Sequence, residues 1–213
     1  MKVAIVEDHP IMREVVRKVC SGISWIEVVT EAGTGAIAVS EIVKNEPDIV
    51  VLDIGLPDFD GFEVLRRIRK LGANPRVLIF SGYCSPYLIF RLEHADIHGF
   101  VDKRINTLAS MREAFSAIRK KTTYFPSPFL QTQTKFRRDP LAFDKLLTNQ
   151  QILILSMVAD HFDDAAIAKR LEITERTVET HRSAIMRKLG LHTRMDMIYY
   201  AQKQGFMSIW PAT

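Results

Sequence analysis

Three things are scarce in this chain of 213 residues: cysteine, long apolar runs, and charge of one dominant sign. Two cysteines, Cys20 and Cys84, cannot build a disulfide framework, which excludes the small stapled scaffolds and fits a reduced, cytoplasmic setting. No apolar stretch approaches the roughly 18 residues that span a bilayer, so no membrane partner is expected. The run Val3 to Val6 stops at Glu7-Asp8, too soon for a signal peptide. The formal net charge is only +4, but it is unevenly spread. Residues 1–118 hold 14 Lys and Arg against 16 Asp and Glu, residues 119–144 hold 6 against 2, and residues 145–213 hold 9 against 7. A weakly acidic first part joined to a basic remainder points toward nucleic acid.

What is present is a regular alternation. Short apolar runs at 2–7, 26–30, 48–53, 76–81 and 98–101 predict strands. Amphipathic stretches at 10–21, 34–44, 61–70, 86–94 and 107–121 predict the helices between and after them. Ser85 before Pro86 reads as an N-cap with proline at the first helical position, and Asn106 can cap the fifth helix. In helix 86–94, Leu88, Ile89 and Leu92 can face the core, which leaves Tyr87 and Phe90 outward. Five such units predict a doubly wound, five-stranded parallel sheet over residues 1–121. Residues 122–144, rich in Thr, Pro, Ser, Gln and basic side chains, read as a linker, although Phe125, Phe129 and Leu130 could dock on a domain. From 145 to 213 the pattern turns helical: 148–160, 164–171, 174–189 and 193–204, with Thr148, Thr174 and Thr193 as N-caps. The second and third of these are separated only by Glu172-Ile173, as in a helix-turn-helix.

Chemistry-bearing residues stand where the predicted strands end. Glu7-Asp8, Asp53, Ser81 and Lys103 each close a different strand, and that end is where a doubly wound sheet places its ligands. A carboxylate can take a phosphoryl group as an aspartyl phosphate. The oxygens of that group need neutralising, which a hard cation held by carboxylates, a lysine and a hydroxyl can supply.

The segments Val-Glu-Asp-His-Pro (6–10), Val-Leu-Asp-Ile-Gly-Leu-Pro-Asp-Phe-Asp-Gly-Phe-Glu (51–63), Ile-Phe-Ser-Gly (79–82) and Gly-Phe-Val-Asp-Lys (99–103) resemble the receiver domain of two-component response regulators. That resemblance implies Asp53 as phosphoacceptor for a sensor histidine kinase. It also implies a Mg²⁺ ion on Glu7, Asp8, Asp53 and the carbonyl of Gly55, with Lys103 as phosphate-binding lysine and Ser81 and Phe100 as switch hydroxyl and switch aromatic. One departure is Arg104, where a proline often follows the lysine.

The segments 147–151, 163–171 and 173–191 resemble the LuxR-type helix-turn-helix, and the whole chain then resembles a NarL/FixJ-type regulator. Independently of that likeness, a turn of about 100° per residue puts Val178, Ile185 and Leu189 of helix 174–189 on one face and Arg176, Glu179, Thr180, Ser183 and Arg187 on the other. The second face suits a major groove. Glu179, Thr180 and Ser183 are expected to read bases. Arg176, Thr177, Arg182, Arg187, Lys188 and Lys169 are expected at phosphates, and His181 is expected to be structural. The family usually carries Glu at the position of Gln151 and often Lys at that of Glu179. Helix 193–204 shows two apolar edges, Met197-Ile198-Ala201 and Met195-Tyr199. The second is either a dimer contact, as the resemblance implies, or a seat for the tail Phe206-Ile209-Trp210.

The expected function is a phosphorylation-controlled transcription regulator that binds DNA as a homodimer and is no enzyme beyond its own phosphotransfer. Two rivals stand beside it. A phosphatase of the haloacid dehalogenase class also uses an aspartyl phosphate, but it needs a second Asp where Gly55 stands. The other rival is a DNA-binding regulator indifferent to phosphorylation.

Overall fold

The structure, a computed structural model, describes residues 1–105 and 107–206. Asn106 and the tail residues Ile209 and Trp210 invoked above therefore lie outside the described residues. Two compact units form, one from residues 1–84 and 91–130, the other from residues 85–90 and 131–206.

The first unit is built on five strands, β1 (Lys2–Val6), β2 (Glu27–Ala32), β3 (Ile49–Leu52), β4 (Arg76–Ser81) and β5 (Gly99–Asp102), in the order β2-β1-β3-β4-β5 and all parallel. The central runs are buried without alternation because helices cover both faces, as the near-continuous Val, Ile and Leu content requires. Val3, Ile5, Val51, Leu78, Phe80 and Val101 turn to one side, where they meet α1 (Pro10–Ser21) and α5 (Thr107–Arg119) through Val16, Val19, Met111 and Phe115. Helices α2 (Gly35–Asn45) and α3 (Gly61–Lys70) continue the alternation, and α4 (Pro86–Glu93) falls between β4 and β5 in chain order, with residues 86–90 counted in the second unit. Their starts are set locally. Thr34 accepts from Ile37 N, Asp60 from Glu63 N at 2.8 Å and Ser85 from Leu88 N at 3.1 Å, each satisfying an otherwise orphaned donor. Tyr87 does not face outward: it is buried, Phe90 is half-buried, and their rings stack at 6.4 Å. Leu88, Ile89 and Leu92 are buried as expected, and Tyr87 is covered by Phe206 and Phe143, whose ring centroids lie 4.0 and 6.2 Å away, neighbours too distant in sequence for periodicity to register.

The stretch read as a linker holds regular structure. Helix α6 (Ser127–Arg138) and the single turn α7 (Phe143–Leu146) lie within and just beyond it. Sparse apolar residues (Phe129, Leu130, Phe136) among polar ones hid α6, and Pro128 is tolerated because it sits in the first turn. Phe129 does dock, at 3% exposure, whereas Leu130 is 45% exposed.

The helical unit follows the expected bounds: α8 (Asn149–Ala159), α9 (Asp164–Leu171), α10 (Glu175–Leu189) and α11 (Arg194–Gln204). All three threonine caps are formed. Gln151 completes a capping box with Thr148, so the amide replaces the family's usual carboxylate without losing the cap. Asp196 closes the corresponding box on Thr193. Helices α9 and α10 meet through a three-residue turn, Glu172 to Thr174, in which Glu172 adopts a left-handed conformation (φ 54°). No helix among the described residues is long and apolar enough to cross a membrane.

Candidate functional site

The strand order reverses between β1 and β3, and the predicted acids stand on both sides of that reversal. Register pairs Val6 with Leu52, so Glu7 and Asp53 leave the sheet side by side. Backbone hydrogen bonds carry the ladder one residue further: Asp53 N donates to Val6 O at 2.8 Å, Glu7 N to Ala32 O at 2.9 Å and Lys103 N to Ser81 O at 3.0 Å. Gly61 lets the following loop close over Asp53, since a Cβ there would lie 2.5 Å from the Asp53 carbonyl oxygen.

At this crevice Lys103 Nζ lies 2.7 Å from Glu7 Oε2 and 2.8 Å from Asp53 Oδ2, in a pocket where Glu7 is fully buried. The ammonium also stands 5.2 Å from the Phe80 ring centroid. Burial pushes the Glu7 carboxyl above its ordinary value. The Lys103 hydrogen bond opposes that shift and the Asp53 charge reinforces it. Ser81 is buried one strand away, where its Oγ accepts from Tyr83 N at 3.3 Å. Phe100 is buried on β5. Asp8 is partly exposed and meets His9 Nδ1 at 2.7 Å, while Gly55 is exposed two residues beyond Asp53. Glu7, Asp8, Asp53, Ser81 and Lys103 thus share one end of the sheet.

Two neighbours of these residues were given no role from the sequence: His9, and Arg104, which was noted only as a departure from the family pattern. His9 joins Glu7 and Asp8 in a group whose ligand atoms lie within 4.8 Å of one another. Its place directly after the acidic pair was the available signal. Arg104 grips Asp102 with its backbone N at 2.8 Å and its guanidinium at 3.1 and 3.0 Å, so the loop that a proline would stiffen is held by an ion pair instead.

In the helical unit, Arg176, Glu179, Thr180, Ser183 and Arg187 are exposed along one face of α10, where with Ala184 they line a shallow recess. Three expected contacts are placed differently. Arg182 is half-buried and pairs with Asp164 at 3.2 Å, an acid that Arg194 also holds at 3.0 Å. It ties α10 to α9 rather than facing the groove side. The Thr177 hydroxyl lies 2.8 Å from the Thr174 cap hydroxyl, and Thr180 Oγ1 donates back to Arg176 O at 2.8 Å. Lys188 is exposed but reaches Gln151 Oε1 at 3.0 Å, and Lys169 is exposed on α9. His181 is half-buried. On α11 the two edges separate as expected: Met197, Ile198 and Ala201 are buried, while Met195 and Tyr199 are 60% and 71% exposed.

Residues 3–115 match the response regulator receiver domain, and residues 145–201 match the bacterial regulatory proteins of the luxR family. A Pseudomonas aeruginosa protein is 34% identical over 95% of this chain and 97% of its own length. The Fimbriae Z protein of Salmonella typhimurium is 30% identical over 96% and 98%. The chain also shares its fold with the response regulator RcsB of Salmonella enterica serovar Typhimurium, solved on promoter DNA with a beryllofluoride phosphomimetic. That likeness has a TM-score of 0.67 and 22% identity, and it covers 95% of this chain and 98% of RcsB. The chain therefore belongs to the two-component response regulators of the NarL/FixJ type, a receiver domain followed by a LuxR-type helix-turn-helix.

Proposed function

We propose that this protein is a phosphorylation-controlled DNA-binding transcription regulator in which Asp53 accepts a phosphoryl group from a sensor histidine kinase. The observation that carries this reading is the placement of Lys103 Nζ between Glu7 and Asp53, at 2.7 and 2.8 Å, in the crevice where the strand order reverses. In the transfer the phosphorus–nitrogen bond of a phosphohistidine breaks and a phosphorus–oxygen bond to Asp53 forms. Lys103 then faces a phosphoryl oxygen, and Ser81 turns its hydroxyl to another.

The residues fit a hard divalent cation. Glu7, Asp8 and Asp53 share this end of the sheet with the Lys103 ammonium set between Glu7 and Asp53, and with the Gly55 carbonyl they form an all-oxygen set suited to Mg²⁺. Bound there, Mg²⁺ supplies positive charge to the phosphoryl oxygens. His9 orients Asp8 and is not itself a ligand, because Mg²⁺ prefers oxygen. Gly55, standing where a phosphatase would need a second acid, counts against turnover of phosphomonoesters.

On the DNA side, Glu179 and Ser183 face base edges, and Thr180, its hydroxyl proton given to Arg176 O, offers an acceptor only, while Arg176, Arg187, Lys169 and Lys188 face phosphates. Arg182 and Thr177 drop from that set, the first held by Asp164 and the second by the Thr174 cap hydroxyl. Met195 and Tyr199 form the homodimer contact of α11, and the regulator works in the cytoplasm.

Incubation with Mg²⁺ and acetyl phosphate should add one acid-stable, base-labile phosphoryl group, and Asp53→Ala should take up none. Labelling that persists in the variant moves the acceptor elsewhere. A promoter-binding titration with and without beryllofluoride tests the coupling to DNA, and an unchanged affinity favours a regulator indifferent to phosphorylation.

A further inference from the structure

After α5 the chain does not leave the receiver. It returns to the edge of β5, where Tyr124 pairs with Gly99 as an added parallel bridge. Phe100 N donates to Tyr124 O at 2.8 Å, and Tyr124 N donates to His98 O at 3.0 Å. Gly99 makes the approach possible, because a Cβ there would lie 2.8 Å from Leu78 Cδ1 and 3.0 Å from Tyr124 O. Five residues on, in the first turn of α6, Phe129 is 3% exposed and its ring centroid lies 5.0 Å from that of Phe100, tilted by 36°. Phe125 supports it from its other neighbour position, also at 5.0 Å.

Side chains alternate across a strand. Leu78, Phe80 and Val101 belong to the core beneath α1 and α5, so Ile79, Ser81, Phe100 and Asp102 turn to the opposite face. The Phe100 ring therefore shares a face with Ser81, while its backbone and its ring are both held by residues 124–129. Each of these contacts lies within the first compact unit.

We infer that Phe129 is the positioning residue for the switch aromatic: its ring seats Phe100, and through that seat the phosphoryl state of Asp53 is communicated to α6. This rests on the reading of Ser81 and Phe100 as the switch. If Asp53 modification biases the Phe100 ring, the seating of Phe129 must bias the Asp53 site by the same factor, since coupling between two binding equilibria is reciprocal. Helix α6 is then the first element outside the sheet to register the switch, without any contact of its own to the phosphoryl group. Burial of an aromatic ring against an aromatic partner gives that seat a preferred geometry that an aliphatic or smaller side chain holds less firmly.

The test uses the full chain with Mg²⁺, beryllofluoride and a promoter duplex chosen by binding-site selection. Wild type, Phe129→Ala, Phe129→Leu, Phe100→Ala and Asp53→Ala are compared for beryllofluoride affinity and for the ratio of DNA affinities with and without it. Wild type should show a ratio of about fivefold or more. Phe129→Ala should bring it below about twofold and weaken beryllofluoride binding by the lost factor, and Phe129→Leu should restore part of both. A merely structural role for Phe129 would lower stability and leave the ratio intact, which overturns the inference. Loss of response in Phe100→Ala with full response in Phe129→Ala overturns the inference alone. Full response in Phe100→Ala, or none in wild type, overturns the switch reading and the inference with it. Should Phe129→Ala fail to fold, amide exchange of residues 124–130 in wild type decides. Protection there must change on adding beryllofluoride, and unchanged protection alongside a changed DNA affinity refutes the route.

Discussion

Replacing Lys103 by methionine keeps most of the aliphatic stem and removes the charge between two carboxylates. In the native site the ammonium sits 2.7 Å from Glu7 Oε2 and 2.8 Å from Asp53 Oδ2, and both side chains are at most 8% exposed. Without it the two acids face each other with little water to screen them. Truncating one partner of a buried ion pair typically costs about 3–5 kcal/mol, because the remaining charge stays desolvated. For a unit of this size that corresponds to a fall of roughly 10 °C or more in melting temperature. The cost has an escape route, protonation of a carboxylate. The Glu7 carboxyl is already raised above 4.5 by burial, and Lys103→Met should raise it further. A group whose folded pKa is raised binds more protons in the native state, so its stability contribution is greatest at low pH and is lost as pH rises through the folded value. The deficit of Lys103→Met should therefore be larger at pH 8 than at pH 5.5. Adding Asp53→Asn should recover much of it, since only one acid then remains. Thermal and urea unfolding of wild type, both single variants and the double variant, in chelator to keep cations away, gives the coupling. Additive effects and a deficit that does not vary with pH would mean that the lysine charge is effectively solvated, and the electrostatic account of the site would fall.

Three further outcomes are expected. Glu179→Ala should relax preference at one base pair per half-site by about 1–3 kcal/mol, whereas Arg187→Ala should weaken all sequences alike and reduce the salt slope by about one; binding-site selection at two salt concentrations separates these. Glu63 is held at about 2 by its hydrogen bond from Arg66, then by Arg67, so its contribution is present above 4.5 and lost as pH falls toward 2; Glu63→Gln should flatten that part of the stability profile. Thr193→Ala removes the side-chain half of the α11 cap, where Thr193 Oγ1 accepts from Asp196 N at 3.0 Å. It should cost about 1 kcal/mol in urea unfolding, and an unchanged midpoint would show that the box contributes nothing in this context.

Local order was legible in the residues themselves. Unbroken apolar runs marked buried strands, threonines marked the starts of α8, α10 and α11, and an acid, hydroxyl or lysine at four strand ends marked the site. Each is a signal between near neighbours in the chain. What the residues alone could not decide depended on neighbours far apart in sequence. Lys103 pairs with Glu7 only because β1, β3, β4 and β5 stand in parallel register. Arg182 looked like a phosphate contact until the packing of α9 against α10 set Asp164 beside it. The Thr177 and Thr180 hydroxyls looked available until the helix itself engaged them. Residues 122–144 looked like a linker because nothing in their composition shows that the edge of β5 is open to Tyr124 or that Phe129 fits against Phe100. Periodicity and capping act within a few residues and so can be read along the chain. Charge pairing and ring packing depend on which strands and helices become neighbours, and only the folded chain determines that.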